Sequence, residues 1–385
     1  MPDETHMWLA SAAFGLEGIV ARELRALGAA QVEPRSPGGA LFRGDAALAF
    51  EANLRLRVAD RVLLVLAEGE ARTFEELFQL CANIPWERYV MREQAFPVRA
   101  KCVRSQLMSP QACQSIVKKA VAQRLGSAYG ADWLPETGAV CQIDVALQRD
   151  FAMICLDASG DALSRRGYRT WNGEAPLRET LAAALVALSG WRPGQPLADP
   201  CCGTGTILIE AALRALGRAP GLSRAFAMEG WGIVDKRRLS AIREEACREA
   251  ERAGGTADII GSDIDPEAVE LARRHAAQAG VAQHIRLSTC DVRALNLPHE
   301  AGVFIVNPPY GERLGDRKAA RAVCAQLRSL MDRHPGWRLC AFSADPGFER
   351  VFGRRADKRR RLYNGRLECD MMLFGGRRAR EVTHD

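Results

Sequence analysis

No stretch of this 385-residue sequence approaches roughly 18 uninterrupted apolar residues, so a membrane-spanning helix is not expected. Histidine is scarce: the six residues form no H-x-x-x-H pair, and the cysteines form no C-x-x-C pair, so the pattern predicts no metal site. The N-terminus, Met1-Pro2-Asp3-Glu4, lacks the basic segment and the apolar run of a secretory signal. The twelve cysteines are scattered along a long chain, unlike those of a small secreted disulfide scaffold. We therefore expect a reduced, cytoplasmic protein with no membrane partner.

The composition is that of an ordinary globular protein. Apolar residues make up 48% of the chain and charged residues 26%, which excludes a disordered, collagen-like or coiled-coil protein. A chain of 385 residues is too long for one ordinary core, so the length predicts two or three domains.

The net charge of +6 is unevenly distributed. Residues 1–160 carry 17 Lys and Arg against 19 Asp and Glu, whereas residues 161–385 carry 36 against 28. Residues 94–131 contain six basic residues and no acid, and residues 354–380 contain ten basic residues against three acids. Such local excess can attract nucleic acid, although a solvated basic surface has the same pattern. The candidate RNA-binding residues are those of the first basic segment: Arg99, Lys101, Arg104, Lys118, Lys119 and Arg124.

The first 160 residues alternate strand-like and helix-like patterns. Strand patterns follow one another at residues 61–67, 95–103, 140–147 and 151–156, the last two joined by a tight turn at Arg149-Asp150. Helix N-caps are indicated at Asp45, Thr73 and Ser109. Thr73-x-x-Glu76 is a capping box, and Ser109 precedes a proline at the first helical position. The pattern predicts a mixed α+β region with basic residues on one helix.

From about residue 176 the pattern changes. Strands are indicated at 196–200, 259–263, 285–290, 303–306 and 338–342, and helices begin at about 177, 206, 265 and 317. This alternation predicts a parallel, doubly wound α/β sheet. Right-handed crossovers place the loops after the strands along one edge of such a sheet, where ligands bind.

A glycine-rich segment, Asp199-Pro200-Cys201-Cys202-Gly203-Thr204-Gly205-Thr206, lies between the first strand of this sheet and its helix. Two glycines allow the backbone to turn sharply and to approach a ligand, although a plain strand–helix turn would use them too. A Walker A loop is excluded because Gly-Lys-Ser/Thr is missing. A nicotinamide site is not expected, because the third glycine is missing and the next strand-end acid, Asp263, lies 58 residues beyond Gly205. The adjacent cysteines suit buried packing better than thiolate chemistry.

Carboxylates follow three successive strands of the sheet. Asp199 is placed to meet a cationic amino group, Asp263 to accept both hydroxyls of a ribose, and Asp291-Val292 to bond an adenine amine. Each carboxylate alone also suits a helix N-cap, as Asp265 before Pro266 does. Together the three positions fit an adenosyl ligand without phosphates, such as S-adenosylmethionine.

The sharpest motif, Asn307-Pro308-Pro309-Tyr310, follows the apolar strand at 303–306. An exocyclic amine on a base is a poor nucleophile because its lone pair is delocalised into the ring. The Asn307 side-chain oxygen and the Pro308 carbonyl can accept its two N–H bonds, and the two prolines fix these acceptors beforehand. Tyr310 offers a face on which a flipped base stacks. A plain turn is the alternative, since Asn-Pro and Pro-Pro are loop dipeptides.

The chain resembles the THUMP-domain class I S-adenosylmethionine-dependent RNA methyltransferases, and most closely the bacterial 23S rRNA guanine-N2 methyltransferases in their single-methyltransferase form. The matching segments are Asp157-x-Ser159-Gly160, Arg165-Arg166-Gly167-Tyr168-Arg169, Ala175-Pro176-Leu177-x-Glu179, the glycine-rich segment 199–206, Ile209-Glu210-Ala211-Ala212, Ala219-Pro220-Gly221, Gly261-x-Asp263-x-Asp265, residues 307–315 and Asn364-Gly365-x-Leu367. Thr204 and His275 depart from the family, in which serine and asparagine are usual at these positions.

The resemblance implies an α/β fold in which a Rossmann-like class I methyltransferase domain, with a doubly wound sheet, follows an α+β ferredoxin-like and THUMP RNA-binding region. It divides the chain into a ferredoxin-like subdomain at 1–57, a THUMP domain at 58–160, a linker at 161–175 and the methyltransferase domain at 176–385. It implies methylation of the N2 amine of a guanosine in 23S rRNA, either naked or in a large-subunit precursor, with Asn307, Pro308, Pro309 and Tyr310 as catalytic residues. Cofactor contacts are then expected from Asp199, Cys202, Gly203, Thr204, Gly205, Thr206, Asp263, Asp291, Val292 and Asn307.

Other functions fit the same motifs. Adenine N6, guanine N2 in tRNA and glutamine N5 in proteins are also planar amine acceptors, although the basic segment argues against a protein substrate. A non-catalytic RNA-binding factor in ribosome assembly could retain the fold, but the intact segments at 199–205 and 307–310 argue against it.

Overall fold

The computed structural model describes residues 4–36, 38–169, 177–252, 257–309 and 314–375. The chain divides into two compact units. The first comprises Met1–Ala12, Val20–Leu163 and Arg224–Glu245, and the second comprises Ala13–Ile19, Ser164–Ser223 and Ala246–Asp385. Two short segments, 13–19 and 224–245, therefore belong to a different unit from their neighbours in sequence.

The described helices and strands follow one another along both units. The helices are α1 (Glu17–Ala26), α2 (Ala46–Arg55), α3 (Phe74–Ala82), α4 (Pro110–Tyr129), α5 (Glu179–Leu188), α6 (Thr206–Ala215), α7 (Lys236–Arg252), α8 (Pro266–Gln278), α9 (Leu314–Arg333) and α10 (Phe348–Phe352). The strands of the first unit are β1 (His6–Ser11), β2 (Ala30–Arg35), β3 (Gly39–Gly44), β4 (Arg61–Glu70), β5 (Val98–Val103), β6 (Ile143–Gln148) and β7 (Phe151–Asp157). Those of the second unit are β8 (Leu197–Asp199), β9 (Ile259–Asp263), β10 (Ile285–Thr289), β11 (Ala301–Val306), β12 (Gly336–Ser343), β13 (Lys358–Asn364) and β14 (Leu367–Phe374).

The strands of the first unit form one sheet in the order β2-β3-β1-β4-β7-β6-β5. Strand β4 pairs with β1 on one side and with β7 on the other, so the strands before and after it share a continuous sheet. Strands β5 and β6 run parallel, whereas β6 and β7 form an antiparallel hairpin. The mixed α+β region that the sequence predicts is therefore present.

The predicted N-caps are confirmed. The Asp45 side chain accepts a hydrogen bond from the Leu48 N–H at 2.9 Å, and Ser109 caps α4 ahead of its first proline. At the start of α3, Thr73 and Glu76 form both hydrogen bonds of the capping box. Each cap satisfies backbone donors that the first helical turn leaves without an intrahelical partner.

The second unit contains the predicted doubly wound sheet, in the order β10-β9-β8-β11-β12-β14-β13. Strands β10, β9, β8, β11 and β12 run parallel to one another, and β14 is antiparallel to both β12 and β13. The central strand β11 reads as a continuous apolar run because Val303–Val306 are buried on both faces. Phe304 packs against Trp337 with ring centroids 4.6 Å apart, in the core between this sheet and α9.

The sequence pattern missed the β13–β14 hairpin, which lies within the arginine-rich C-terminal segment. Strand β13 is the edge strand of the sheet; its first four residues are exposed, and Leu362 is its one fully buried side chain. An exposed edge strand with so little burial lacks the alternation of apolar and polar residues by which a half-buried strand is recognised. Helix α7, in which most residues are charged, was also missed.

Candidate active site and RNA-binding surface

The parallel strands of the second unit end along one edge of the sheet, and the predicted site segments follow those ends. Asp199 closes β8, and Asp263 closes β9 opposite Thr289 of β10. Asn307 directly follows β11, which pairs in parallel with β8. The structure thus brings together four segments that are distant in sequence: 199–206, 263–265, 290–292 and 307–309.

The glycine-rich loop after β8 is held by backbone hydrogen bonds. The Cys202 N–H donates to the Ser262 carbonyl at 3.0 Å, and the Gly205 N–H donates to the Cys202 carbonyl at 2.8 Å. Gly205 has φ 81°, and a Cβ atom there would lie 3.0 Å from the Cβ of Ala272 on α8. Both the left-handed backbone and the close approach of α8 therefore require glycine at the start of α6.

Asp263 connects the glycine-rich loop to the ends of two strands. Its Oδ2 accepts a hydrogen bond from the Gly203 N–H at 2.8 Å, and its Oδ1 accepts one from the Asp265 N–H at 3.1 Å. Its backbone carbonyl accepts from the Cys290 N–H at 2.9 Å. Each carboxylate oxygen has a second lone pair, so this side chain can accept two further hydrogen bonds, as a pair of ribose hydroxyls would require.

Asp199 is almost fully buried, with 2% of its surface exposed, and its Oδ1 accepts a hydrogen bond from the Cys201 N–H at 3.0 Å. Burial raises the pKa of this carboxyl to about 8, and the negative charge of Asp263 adds to the effect. A cation brought next to Asp199 would favour the ionised form. The site therefore suits a positively charged amino group better than an anion.

The cysteines of the loop are inert thiols. Burial raises the pKa of Cys201 and of Cys202 well above the ordinary thiol value, and the neighbouring carboxylates act in the same direction. All twelve cysteines of the chain are free. Since the thiolate is the reactive form, these side chains fill space beneath the loop rather than act as nucleophiles.

Asp291 and Val292 follow β10 in different environments. The Arg293 side chain donates to both carboxylate oxygens of Asp291, and this hydrogen bonding lowers the pKa of Asp291 to about 2. Val292 packs in the hydrophobic core with Leu295 and Leu297. The valine side chain is buried and apolar, so a hydrogen bond to a ligand at this position would have to use the backbone.

His275, which departs from the family pattern, supports the glycine-rich loop. It is buried on α8, and its Nδ1 lies 3.2 Å from the Thr204 carbonyl oxygen. A carbonyl oxygen only accepts hydrogen bonds, so Nδ1 carries the proton in this contact. The histidine thus supports the loop through the backbone of Thr204, which is the other residue that departs from the family pattern.

A buried polar network that sequence reasoning did not assign to the site is centred on Glu210 of α6. The Tyr168 hydroxyl donates to Glu210 Oε1 at 3.1 Å, and Arg166 Nε lies 3.5 Å from the same oxygen. All three side chains are more than nine-tenths buried. Burial raises the pKa of Tyr168 well above its ordinary value, with the Glu210 charge adding to the effect, so the hydroxyl remains a donor.

Arg169 extends this network to the glycine-rich loop. Its Nη2 donates to Thr206 Oγ1 at 2.7 Å and to the Leu177 carbonyl at 3.0 Å, and its Nη1 lies 3.5 Å from Glu179 Oε1. The first residue of α6 is therefore tied to the start of α5. The available sequence signal was the run of four charged and aromatic residues around Gly167, which matched the family but carried no apparent chemistry.

The acceptor loop is described through Pro309. Asn307 is half-buried, Pro308 is buried and Pro309 is exposed at the end of β11. The predicted stacking residue Tyr310 lies outside the described residues. The described part places the Asn307 side chain and the Pro308 carbonyl after a buried central strand, which holds the backbone of this loop at its start.

Three of the six predicted RNA-binding residues have acidic partners. The pairs are Arg99–Asp144, Lys118–Glu136 and Arg124–Glu87. The Lys118 ammonium also lies 3.6 Å from the ring centroid of Phe96. The acids of these pairs come from outside segment 94–131 and are brought to it by folding, so three of its six positive charges are compensated, and RNA binding by these three residues stays a prediction.

The other three residues, Lys101, Arg104 and Lys119, are exposed and have no carboxylate partner in the described part of the chain. Arg149, at the β6–β7 turn, is a further exposed cation of the first unit. The Arg149 N–H donates to the Val103 carbonyl at 3.2 Å, so Arg149 and Arg104 lie at the adjacent ends of parallel strands. Both have positive φ, 52° and 51°, which favours glycine. Sequence reasoning identified the turn but not its arginine.

Among the described residues, no group of three or more His, Cys, Asp and Glu side chains is placed to hold a metal ion. None of the helices that the structure describes combines the length and the hydrophobicity needed to cross a membrane.

Comparison with family models matches the chain in three consecutive parts. An RlmL ferredoxin-like domain matches residues 8–63, a THUMP domain matches residues 71–157, and an RMKL-like methyltransferase domain matches residues 166–372. These matches confirm the predicted order of an α+β ferredoxin-like and THUMP region followed by a class I methyltransferase fold.

Similar proteins cover nearly the whole chain. A Bacillus subtilis protein named "Putative RNA methyltransferase YpsC" is 40% identical over 369 residues, which are 95% of each chain. A ribosomal RNA large subunit methyltransferase K/L from Syntrophotalea carbinolica is 36% identical over 382 residues, 95% of this chain but 53% of that relative, so this chain spans about half its length. The crystal structure of SMU.472, described as "a putative methyltransferase complexed with SAH", is 39% identical, with a TM-score of 0.91 over 98% of this chain and 100% of the other. With its methyltransferase match covering more than half of the sequence, this chain belongs to the family of RMKL-like methyltransferases that carry an RlmL-type ferredoxin-like domain and a THUMP domain.

Proposed function

We propose that this enzyme transfers the methyl group of S-adenosylmethionine to the N2 amine of a guanosine in 23S ribosomal RNA. The observation that carries the proposal is the placement of Asn307-Pro308 at the end of β11, beside β8, whose last residue is Asp199. The K/L relative acts on large-subunit ribosomal RNA by its name, and SMU.472 binds SAH, the product of S-adenosylmethionine after methyl transfer. Membership of the family supports RNA methylation with this cofactor, and the N2 position is the finer part of the proposal.

The residues of the sheet edge fit the cofactor. Asp199 is a buried carboxyl whose pKa is raised to about 8, and it gains a partner when a cationic amino group approaches. Asp263 retains one acceptor site on each oxygen for the ribose hydroxyls. Ile264, which follows it, exposes 69% of its surface at the sheet edge and offers an apolar face to an adenine ring. Sequence reasoning missed Ile264, although an isoleucine between Asp263 and Asp265 was an available signal.

S-adenosylmethionine supplies an electrophilic methyl group on its sulfonium. The Asn307 side-chain oxygen and the Pro308 carbonyl accept the two hydrogens of the target amine, so that its lone pair becomes available to the methyl carbon. Because Pro308 is buried and its ring fixes φ, these acceptors need little reorganisation. Displacement at this methyl carbon would form the C–N bond as the C–S bond breaks and would leave SAH, and the surplus amine proton would go to water. Tyr310 stacks on the extruded base in this proposal.

The exposed cations of the first unit support RNA as the substrate. Lys101, Arg104, Lys119 and Arg149 supply phosphate contacts, whereas Arg99, Lys118 and Arg124 chiefly hold the unit together through their acidic partners. The assignment of residues 1–57, 58–160, 161–175 and 176–385 to the ferredoxin-like subdomain, THUMP domain, linker and methyltransferase domain belongs to the same proposal.

The test is single-turnover methylation of ribosomal RNA from a strain that lacks the gene, followed by mapping of the modified nucleoside. We expect N2-methylguanosine at one position, and Asn307→Ala to lower the rate by about 10²–10³-fold, as loss of one preorganised polar partner does elsewhere. RNA affinity should change little, because phosphate contacts dominate it. Detection of N6-methyladenosine instead would show that the methyl acceptor is an adenosine and not the proposed guanosine. Absence of any methyl transfer, with SAH also failing to bind, would favour a non-catalytic RNA-binding factor.

A further inference from the structure

The loop ahead of α1 belongs to the second unit and packs on the edge strand of its sheet. Gly15 has φ 87°, and a Cβ atom there would lie 3.2 Å from the Arg361 carbonyl oxygen and 3.4 Å from Leu362 Cδ2. Glycine is therefore required both for the left-handed backbone and for the close approach to β13. The contact fixes the residue just before it, Phe14, beside the end of the strand.

Phe14 and Tyr363 form an aromatic pair on this strand. Their ring centroids are 5.9 Å apart with an angle of 73° between the planes, an edge-to-face arrangement. Phe14 nevertheless exposes 48% of its surface, and Leu367 at the adjoining turn exposes 40%. An ordered aromatic ring that is half open to solvent provides a stacking surface.

Arginines border this pair. The Tyr363 hydroxyl donates to Glu368 Oε2 at 3.0 Å, and Arg361 Nε lies 3.1 Å from Glu368 Oε1, so one carboxylate orients both the ring and the guanidinium. Arg366, at the tip of the β13–β14 turn, is exposed and has no carboxylate partner among the described residues. Lys358 and Arg360 on β13 are also exposed and have no carboxylate partner among the described residues. The strand therefore carries more positive charge than Glu368 neutralises.

The position of this surface follows from the sheet topology. Strand β14 is antiparallel to β12 with Asp370 opposite Ser343, the last residue of β12, so the β13–β14 turn extends beyond the carboxyl edge of the sheet. Strand β13 is three positions from β11 in the strand order, or about 14 Å at about 4.8 Å per strand. The turn therefore lies on the same edge as Asn307, within reach of nucleotides next to a base held there.

We propose that Phe14, Tyr363, Arg361 and Arg366 form a contact surface for unpaired RNA nucleotides that flank the methylated base. This inference rests on the proposed function. It places a second RNA-binding surface in the catalytic unit, in addition to the exposed cations of the first unit. Unpaired bases stack on aromatic side chains, and arginines bind the phosphates between them. The charge of β13 favours a polyanion over an apolar protein partner as the occupant.

The experiment measures binding of the full-length enzyme to a fluorescein-labelled single-stranded oligouridylate by anisotropy, at several salt concentrations. We expect Phe14→Ala to weaken binding by about 5- to 150-fold, the effect of losing one base stack, and Phe14→Tyr to retain most of the affinity. Arg366→Ala should flatten the slope of log affinity against log salt by about 0.7, since one phosphate contact to a single strand is lost. Phe74→Ala is the matched control, because Phe74 exposes 41% of its surface but lies on α3 of the first unit.

Controls separate this surface from the proposed function. Calorimetry with SAH should show no change in Phe14→Ala or Arg366→Ala, because neither side chain belongs to the cofactor site, and thermal unfolding should show that both variants remain folded. Wild-type affinity and salt slope in both variants, or an equal loss in Phe74→Ala, would overturn the surface while leaving the methyltransferase proposal intact. A wild-type enzyme that neither binds the oligonucleotide nor methylates ribosomal RNA would overturn both.

Discussion

The Gly203 N–H donates a 2.8 Å hydrogen bond to Asp263 Oδ2, so a carboxylate at the end of β9 shapes the loop that follows β8. The other oxygen of the same carboxylate orders the turn into α8 through the Asp265 N–H. One side chain therefore preorganises two of the segments that the proposed cofactor contacts. This dual role distinguishes Asp263 from a residue that would act only when the ligand is bound.

The first prediction concerns this carboxylate. Asp263→Ala should weaken SAH binding by about 10- to 150-fold, because hydrogen bonds to a charged group contribute about 1.5–3 kcal/mol. Asp263→Asn, which keeps one acceptor oxygen but loses the charge, should have a smaller effect. Calorimetry provides the affinities, and circular dichroism checks the fold. An unchanged affinity in a folded Asp263→Ala variant would mean that the ribose binds elsewhere.

The second prediction is a pH dependence of cofactor binding. Burial holds the pKa of Asp199 at about 8 in the ligand-free protein, so the carboxyl is mostly protonated near pH 7. A bound ammonium group favours the carboxylate, so binding near neutral pH should release a proton, and affinity should rise as the pH increases toward about 8. Calorimetry in two buffers with different ionisation enthalpies measures the released proton. Asp199→Asn should abolish the release, and a wild-type protein that binds without it would contradict the assigned role.

The third prediction separates exposed from paired cations of the first unit. Lys101→Ala with Arg104→Ala should weaken RNA binding and flatten its salt dependence by about 0.7 per phosphate contact to a single strand. Lys118→Ala should change the slope less, since this lysine already pairs with Glu136. SAH affinity should be unaffected in both. Equal salt slopes for the two variants would show that the exposed cations are only a solvated surface.

The fourth prediction concerns stability. Glu210→Ala should lower the free energy of unfolding by about 3–5 kcal/mol, because it removes the buried carboxylate to which Tyr168 donates and beside which Arg166 lies. Glu270→Ala is the matched control: Glu270 pairs with Arg274 on the exposed side of α8, and loss of such a surface pair costs less than about 1 kcal/mol. Denaturant titration of both variants makes the comparison. A Glu210→Ala protein as stable as the control would show that the buried network does not support the fold.

The features that sequence reasoning identified have local causes. Thr73 and Glu76 cap α3 across a single helical turn, and Asp265 before Pro266 begins α8 by the same short-range chemistry. The apolar run of β11 is visible because it is buried on both faces, and the loops after the parallel strands are placed by the handedness of their crossovers. The positions of Asp199, Asp263 and Asn307 at one edge follow from that alternation alone.

What only the tertiary structure decided involves partners that are distant in sequence. Arg99 meets Asp144, and Gly15 meets Arg361, because sheet pairing and loop packing bring these segments together. No short window of sequence contains both members of such a pair. Charge counts therefore overestimated the free cations between residues 94 and 131, and the aromatic pair of Phe14 and Tyr363 left no sequence pattern. The sequence thus determined where the chemistry lies along the chain, and the long-range contacts decided which charges and rings remain available to RNA.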